Sequence, residues 1–321
     1  MNRAMLLLLG ALLVAALAHL LLPLGPLLEL EQREPATAWL LLTEIRLPRT
    51  LLALGYGAAL GMTGAALQAL FANPLASPDI TGSSSGAVLG AVFASYWLGV
   101  TSPLALAAGG AVGALLALAV VIGLAGRRSD PTVLLLAGIA VSLAAGAGTS
   151  LLLALAPSPF AFYDSFDWLM GSFVDRSLPQ AAAALVPSSL ACVLLLTRSR
   201  ALDLMALGED VAASLGHQPR RLGLQVVALS SIAIGACVSV CGAIGFVGLI
   251  APFVARRMTR GHPGRALLPA ALIGSILLLI ADLAVRYGPA GRVIPVGVLT
   301  TVAGVPLFIW IVVTMRRQVT A

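Results

Sequence analysis

Residues 103–125 form the run PLALAAGGAVGALLALAVVIGLA, which contains no charged side chain. In hydrocarbon, backbone N–H and C=O groups can be satisfied only within the segment itself, and a helix of about 20 apolar residues crosses a bilayer. The run therefore predicts a membrane-spanning helix. Similar apolar runs lie on both sides of it, so the whole chain needs the same explanation.

Composition extends this interpretation to the full length. Of the 321 residues, 60% are hydrophobic and 10% are charged, and the mean hydropathy is +1.02. A soluble domain carries about 25% charged residues, so much of this apolar surface must face lipid. We predict an all-α, polytopic integral membrane protein in which residues 1–321 form a single transmembrane domain. The charges divide it into ten predicted spans: 4–22, 50–70, 84–101, 103–125, 132–156, 180–197, 222–243, 244–258, 266–286 and 296–315.

The N-terminus resembles a signal peptide, because Arg3 precedes the apolar run 5–22. The apolar core of a signal peptide has about 7–15 residues, and this run is longer, so we interpret it as a retained first span. An even number of spans places both termini on one side of the membrane. The cytoplasmic side is favoured, because most of the arginines then lie inside.

Several chemistries are excluded by residue usage. All 19 basic residues are arginine, and a P-loop or a Schiff-base site needs a lysine. The three histidines are scattered and form no metalloprotease-type cluster. Cys237 and Cys241 lie one helical turn apart in an apolar run, and we interpret them as buried thiols rather than a metal pair. The sequence therefore indicates neither a catalytic site nor a cofactor or metal bound by this chain.

Small residues recur at four-residue spacing, and in lipid such pairs let helices approach closely. The pairs are Gly57 with Gly61, Gly86 with Gly90, and Gly109 with Gly113. They predict tight helix packing within a bundle or between protomers.

Charged residues near two predicted spans are candidates for function. Arg46 and Arg49 lie one helical turn apart just before the second span, where cations oppose the helix dipole. Interfacial anchoring of these two side chains is the alternative. An intramembrane acid such as Asp282 suggests ion coupling by default. Its spacing from Arg286 favours an ion pair on one helix face instead.

Two segments on the predicted cytoplasmic side break the helical pattern. Residues 68–87 hold Pro74 and Pro78, which end one helix, and a Ser/Gly cluster that begins the next. Residues 198–221 are polar and contain a short predicted amphipathic helix, 211–215, which Gly216 ends. For residues 68–87 the alternatives are a functional corner and a plain helical turn. For residues 198–221 they are a docking helix and a solvated loop.

The order and spacing of several segments together resemble the permease family of ATP-binding-cassette importers for ferric siderophores, haem and cobalamin. The resemblance covers almost the whole chain. The matching segments are RLPR (46–49), NPLASPD (73–79), GSSSGA (82–87), WLMGS (168–172), 208–216, 242–252, 281–286, IPVG (294–297) and GVPLFIW (304–310).

The resemblance implies a ten-span subunit of the bacterial inner membrane that is present twice. Its implied partners are membrane lipid, two cytoplasmic ATPase subunits that carry ATP and Mg²⁺, and an external substrate-binding protein. Arg46, Arg49 and Arg286 would dock that binding protein through its glutamates, and Asn73, Leu75 and Thr132 resemble cytoplasmic gate residues. The coupling segment, about 198–222, would contact the ATPase through Gly208, Glu209, Asp210, Ala212, Leu215 and Gly216.

The resemblance favours a ferric siderophore as cargo, with haem or cobalamin as alternatives. One departure is Val293, preceded by Arg292, where the family commonly has an acid before IPVG; it reverses the local charge at an external corner. The rival class is an ion-coupled secondary transporter, for which Asp79 and Asp282 are the candidate acids.

Overall fold

The computed structural model describes residues 3–126, 131–216, 218–288 and 294–319, and for residues 26, 209 and 310–319 it describes the backbone alone. All regular elements in these ranges are helices. The α-helices are α1 (Arg3–Leu21), α2 (Leu24–Arg33), α3 (Pro35–Leu40), α4 (Leu47–Leu70), α5 (Ser83–Trp97), α6 (Pro103–Ala125), α7 (Pro131–Ala154), α8 (Pro159–Leu169), α9 (Leu178–Leu196), α10 (Ser199–Met205), α11 (Glu209–Ser214), α12 (Pro219–Cys241), α13 (Val247–Met258), α14 (Leu267–Arg286) and α15 (Val296–Val319).

The all-α membrane fold is confirmed, and each predicted span coincides with a helix. Seven described helical segments are long and apolar enough to cross a membrane. Helices α5 and α13 are shorter, with 15 and 12 residues, and α13 is preceded by the non-helical segment 242–246. The count of ten spans and the side of the termini stay predictions. Sequence patterns missed α2, α3, α8 and α10, which are short; all but α3 also contain charged residues.

The predicted start of the second span at residue 50 is wrong. A π-helical segment, Leu41–Arg46, joins α3 to α4, so one helical stretch runs over Pro35–Leu70. The irregular turn ends two residues before Pro48, whose ring and missing N–H disfavour regular α geometry in the preceding turn. Arg46 and Arg49 are therefore inside a helical stretch and do not oppose the dipole at a free N-terminus.

Helix α4 lies at the centre of the bundle and packs against α14, α13, α9 and α12. A side chain added at Gly57 or Gly61 would meet the backbone of α14 at Gly274 or Ala270. Helices α5 and α6 meet in the same way, because a Cβ added at Gly90 or at Gly113 would lie 2.8 Å from the Cα atom of the other glycine. The predicted tight packing is confirmed within one chain.

The bundle has two ends, which we name by their residues. The outer end is where the C-terminal turn of α1 (His19), the first turn of α4 (Arg49) and the last turns of α14 (Asp282) meet. The inner end holds the start of α1, the turn 259–266 between α13 and α14, and α10. There the backbone N–H of Gly264 donates to Asp203 Oδ1 at 2.8 Å.

Candidate functional site

A buried ion cluster joins three helices at the outer end. Arg49 holds the carboxylate of Asp282 with both arms of its guanidinium, Nε to Oδ2 at 2.7 Å and Nη2 to Oδ1 at 3.0 Å. His19 Nε2 lies 2.8 Å from Asp282 Oδ2, and its Nδ1 lies 2.8 Å from Thr50 Oγ1. The side chain of Asp282 is 1% exposed, so these contacts replace its hydration.

The other two arginines of this end bind the free carbonyls at the end of α1. Arg46 donates to the carbonyl oxygens of Leu21 at 2.6 Å and Pro23 at 3.0 Å. Arg286 donates to the carbonyl of His19 at 2.7 Å and lies 3.6 Å from Asp282 Oδ2. The last carbonyls of a helix have no partner within it, and a cation there also interacts favourably with the dipole.

These contacts refine the predictions for the outer end. The predicted ion pair of Asp282 with Arg286 is present, but Arg49, which is distant in sequence, is closer and bidentate. Arg46 is 7% exposed and is committed to α1. The side chains of Arg49 and Arg286 are 15% and 11% exposed, so each keeps an accessible edge. Docking of a binding protein by the three arginines stays a prediction.

The cluster itself carries an excess of positive charge. Two guanidinium groups, those of Arg49 and Arg286, share the one carboxylate that the described residues bring to it, and the guanidinium group of Arg46 lies at the same end of α1. A buried excess of this kind is costly unless another acid approaches it. The arrangement can therefore receive an acidic side chain from outside the chain.

The corner between α4 and α5 has the geometry that the prolines and glycines predict. Asn73 Oδ1 accepts from the backbone N–H of Leu75 at 2.9 Å, which closes a side-chain turn, and Leu75 is 42% exposed. A 3₁₀ turn, Pro78–Thr81, follows, and Gly82, with a φ of 80°, directly precedes α5. An added side chain there would press on Val141 of α7.

The corner packs directly on α7. Ser142 of α7 donates to the carbonyl of Asp79 at 3.0 Å, and the backbone of Ile80 lies against Gly138. Thr132 is exposed in the first turn of the same helix. Burial raises the pKa of the Asp79 carboxyl above its usual range. The structure thus places Asn73 and Leu75 in one turn and connects them to the helix that begins beside Thr132.

The predicted amphipathic helix of the coupling segment is present as α11, which begins two residues earlier and ends one residue earlier than predicted. Gly208 and Gly216 bound it, with φ values of 109° and 83° that favour glycine. Ala212 is fully buried, whereas Val211 and Leu215 are 41% and 58% exposed. An exposed apolar edge on a surface helix is typical of a protein contact. The side chain of Glu209 lies outside the described residues.

Three of the matching sequence segments meet in space beside α15. The N–H of Gly297 donates to the carbonyl of Gly171 at 3.1 Å, and that of Ser172 donates to the carbonyl of Cys241 at 2.8 Å. They border a cavity of about 310 Å³ between Met170 and Thr301. Their glycines were the available signal, but spacing alone could not bring them together. Arg292 and Val293, where the charge departs from the family, lie outside the described residues.

This organisation, with a helical bundle of membrane-spanning length, a cationic outer end and an exposed apolar helix at the inner end, is that of a polytopic membrane permease. The chain belongs to the FecCD transport family, whose model matches residues 5–314.

Several transport permeases are similar to this chain over most of their own length. A hemin transport system permease of Yersinia pestis is 39% identical over 87% of this chain and 85% of its own. A vitamin B12 import permease of Vibrio cholerae is 37% identical over 87% and 86%. A solved structure described as an inward-facing metal-chelate type ABC transporter matches with a TM-score of 0.86 at 30% identity, covering 97% of this chain and 99% of its own. The resemblance inferred from the sequence is confirmed.

Proposed function

We propose that the chain is the permease subunit of an importer that carries a metal chelate across the bacterial inner membrane. A ferric siderophore is the favoured cargo, with haem or cobalamin as alternatives. The observation that carries the proposal is the difference between the two ends of one packed bundle. Its outer end holds an unbalanced cationic cluster, and its inner end presents α11 with the exposed Leu215.

At the outer end the expected partner is an acidic substrate-binding protein. Arg49 and Arg286 each keep an accessible edge while Asp282 fixes their position. Charge complementarity of this kind governs the rate of encounter and its specificity more than affinity. A glutamate of the partner would share the guanidinium groups that Asp282 only partly neutralises. Arg46, which is bound to α1, would contribute through the local potential.

At the inner end the expected partner is an ATPase subunit that binds nucleotide and Mg²⁺ itself. Leu215 and Val211 would enter a groove of that subunit, with Gly208 and Gly216 fixing the geometry of α11 and Glu209 and Asp210 at its start. Ala212 anchors the helix to the bundle from its buried side. The permease performs no reaction and needs no cofactor of its own in this scheme.

The gate would lie at the corner that holds Asn73 and Leu75. Helix α10 contacts α4, and α4 leads directly into this corner, so a shift of the coupling segment has a short path to it. Packed helices change between discrete arrangements rather than deforming continuously. Thr132 would join the gate from the start of α7, on which the corner packs.

The pathway would form between two copies of the chain. In α7, Leu136 and Leu143 are 61% and 70% exposed, and in α15 Val302 is 66% exposed. These surfaces are apolar, and Val302 also lines the cavity at Thr301, as a lining shared by two protomers would require. The remaining exposed apolar surface, such as that of α1, would face lipid.

Ion coupling through Asp282 is the rival, and the cluster argues against it. A coupling acid must exchange its ion during each cycle, whereas Asp282 is held by two arginines and His19. Uptake that needs ATP and persists without an ion gradient is expected for the importer. Uptake driven by a proton or sodium gradient without ATP would favour the rival.

The decisive experiment reconstitutes the chain with its ATPase in liposomes, with and without the binding protein. We expect the binding protein to stimulate ATP hydrolysis and the stimulation to disappear in Leu215→Ala. The matched control is Leu116→Ala, which changes a leucine of similar exposure on α6, 61% against 58%. Failure of the chain to associate with any ATPase would refute the proposal.

A further inference from the structure

A cavity of about 370 Å³ lies at the inner end, between the start of α1 and the turn that joins α13 to α14. We propose that it binds the phosphate headgroup of one anionic phospholipid. Arg260, His262 and Arg265 line it from the turn, and Met5 and Leu8 line it from α1. Cationic and apolar walls therefore face each other across one space.

The charge of the cavity is not compensated. In the ranges that the structure describes, neither Arg260 nor Arg265 forms an ion pair, and no acidic side chain borders the space. This contrasts with the outer end, where Arg49 and Arg286 have Asp282 between them. Guanidinium groups bind carboxylate and phosphate oxygens through parallel N–H bonds, and a phospholipid headgroup is the form in which a membrane supplies such an anion.

The apolar side of the cavity distinguishes a lipid from a free anion. Met5 and Leu8 lead along α1 to Leu9 and Leu13, which are 40% and 61% exposed and belong to a span that faces hydrocarbon. A headgroup held at the arginines would leave its acyl chain beside these leucines. Basic pockets between helices at the cytoplasmic edge of a membrane bind anionic lipids in this way.

The site lies one hydrogen bond from the coupling segment. Gly264, in the same turn as Arg260 and Arg265, donates to Asp203 of α10 at 2.8 Å. A lipid that bridges α1 and this turn would stabilise the turn that contacts α10. The inference depends on membrane insertion and not on the cargo or on transport.

Native mass spectrometry of the full chain, released from detergent with added phosphatidylglycerol, tests the proposal. We expect one phosphatidylglycerol to bind in preference to phosphatidylcholine. In Arg260→Gln/Arg265→Gln its affinity should fall about 30-fold, since each cation near an anionic surface contributes about fivefold. The control, Arg220→Gln/Arg221→Gln, removes two exposed arginines outside the cavity and should leave binding unchanged. Met5→Gln should weaken the binding of phosphatidylglycerol but not the binding of soluble glycerophosphate.

Several outcomes would overturn the proposal. Unchanged affinity in Arg260→Gln/Arg265→Gln would remove the site, and an equal loss in the control would indicate general attraction to charge. Glycerophosphate that binds as tightly as phosphatidylglycerol would identify a site for small anions. Release of the lipid when the ATPase subunit is added would assign this surface to that protein. Thermal unfolding of each variant at the wild-type temperature establishes that the fold is intact.

Discussion

Replacing Asp282 with asparagine should strongly destabilise the bundle while keeping its shape. The carboxylate receives contacts of 2.7 and 3.0 Å from Arg49, 2.8 Å from His19 and 3.6 Å from Arg286, and it is 1% exposed. Removing one partner of a buried ion pair costs about 3–5 kcal/mol, because the other charge is left uncompensated. The slight exposure of both arginines favours the lower limit, about 3 kcal/mol, which is about a 150-fold change in the folded-to-unfolded ratio.

The assay is unfolding in mixed micelles, followed by the labelling of Cys237 and Cys241, whose thiols are fully buried in the folded chain. Asp282→Asn should label at a lower denaturant concentration than wild type. Asp164→Asn, a change to an exposed acid, is the control and should behave as wild type.

A second substitution, at Arg49, tests whether the ion pair itself holds the two helices together. In Asp282→Asn/Arg49→Gln the unpaired guanidinium is also removed, so part of the lost stability should return, with a coupling energy of about 1–3 kcal/mol. Strictly additive effects of the two changes would mean that the ion pair does not hold α4 to α14. Wild-type stability of Asp282→Asn alone would mean that the buried carboxylate does not stabilise the bundle.

Three further predictions concern packing and the two ends. Gly113→Ala should lower the unfolding temperature, since overpacking costs about 1–3 kcal/mol, while Gly123→Ala on the same helix has open space and should not. Leu215→Ala should weaken ATPase binding about 5–30-fold, the value of about 1–2 kcal/mol of partial burial; an unchanged affinity in a pull-down titration would contradict the docking role of α11. Arg286→Gln should slow association with the binding protein at least about tenfold at low salt, and an unchanged on-rate by stopped flow would remove the cluster from docking.

Local sequence chemistry determined much of the fold. Apolar runs predicted the spans because the hydropathy of a membrane helix is the sum over consecutive residues. Pro74 and Pro78 predicted the corner, and Gly216 predicted the end of α11, because the allowed φ of these residues is a local property. The glycine pairs predicted close helix packing because they carry no side chain, although they could not name the partner helix.

The remaining features depend on residues that are far apart in sequence. Asp282 is 233 residues from Arg49 and 263 from His19, and their contact exists only once α1, α4 and α14 are packed. His19 lies in an apolar run with no pattern that marks it. The continuous stretch through the π-helical segment before Pro48 and the position of Arg260 opposite Met5 were likewise decided by packing. Local propensity sets which helices form, whereas the charges they bury are selected by which helix ends meet.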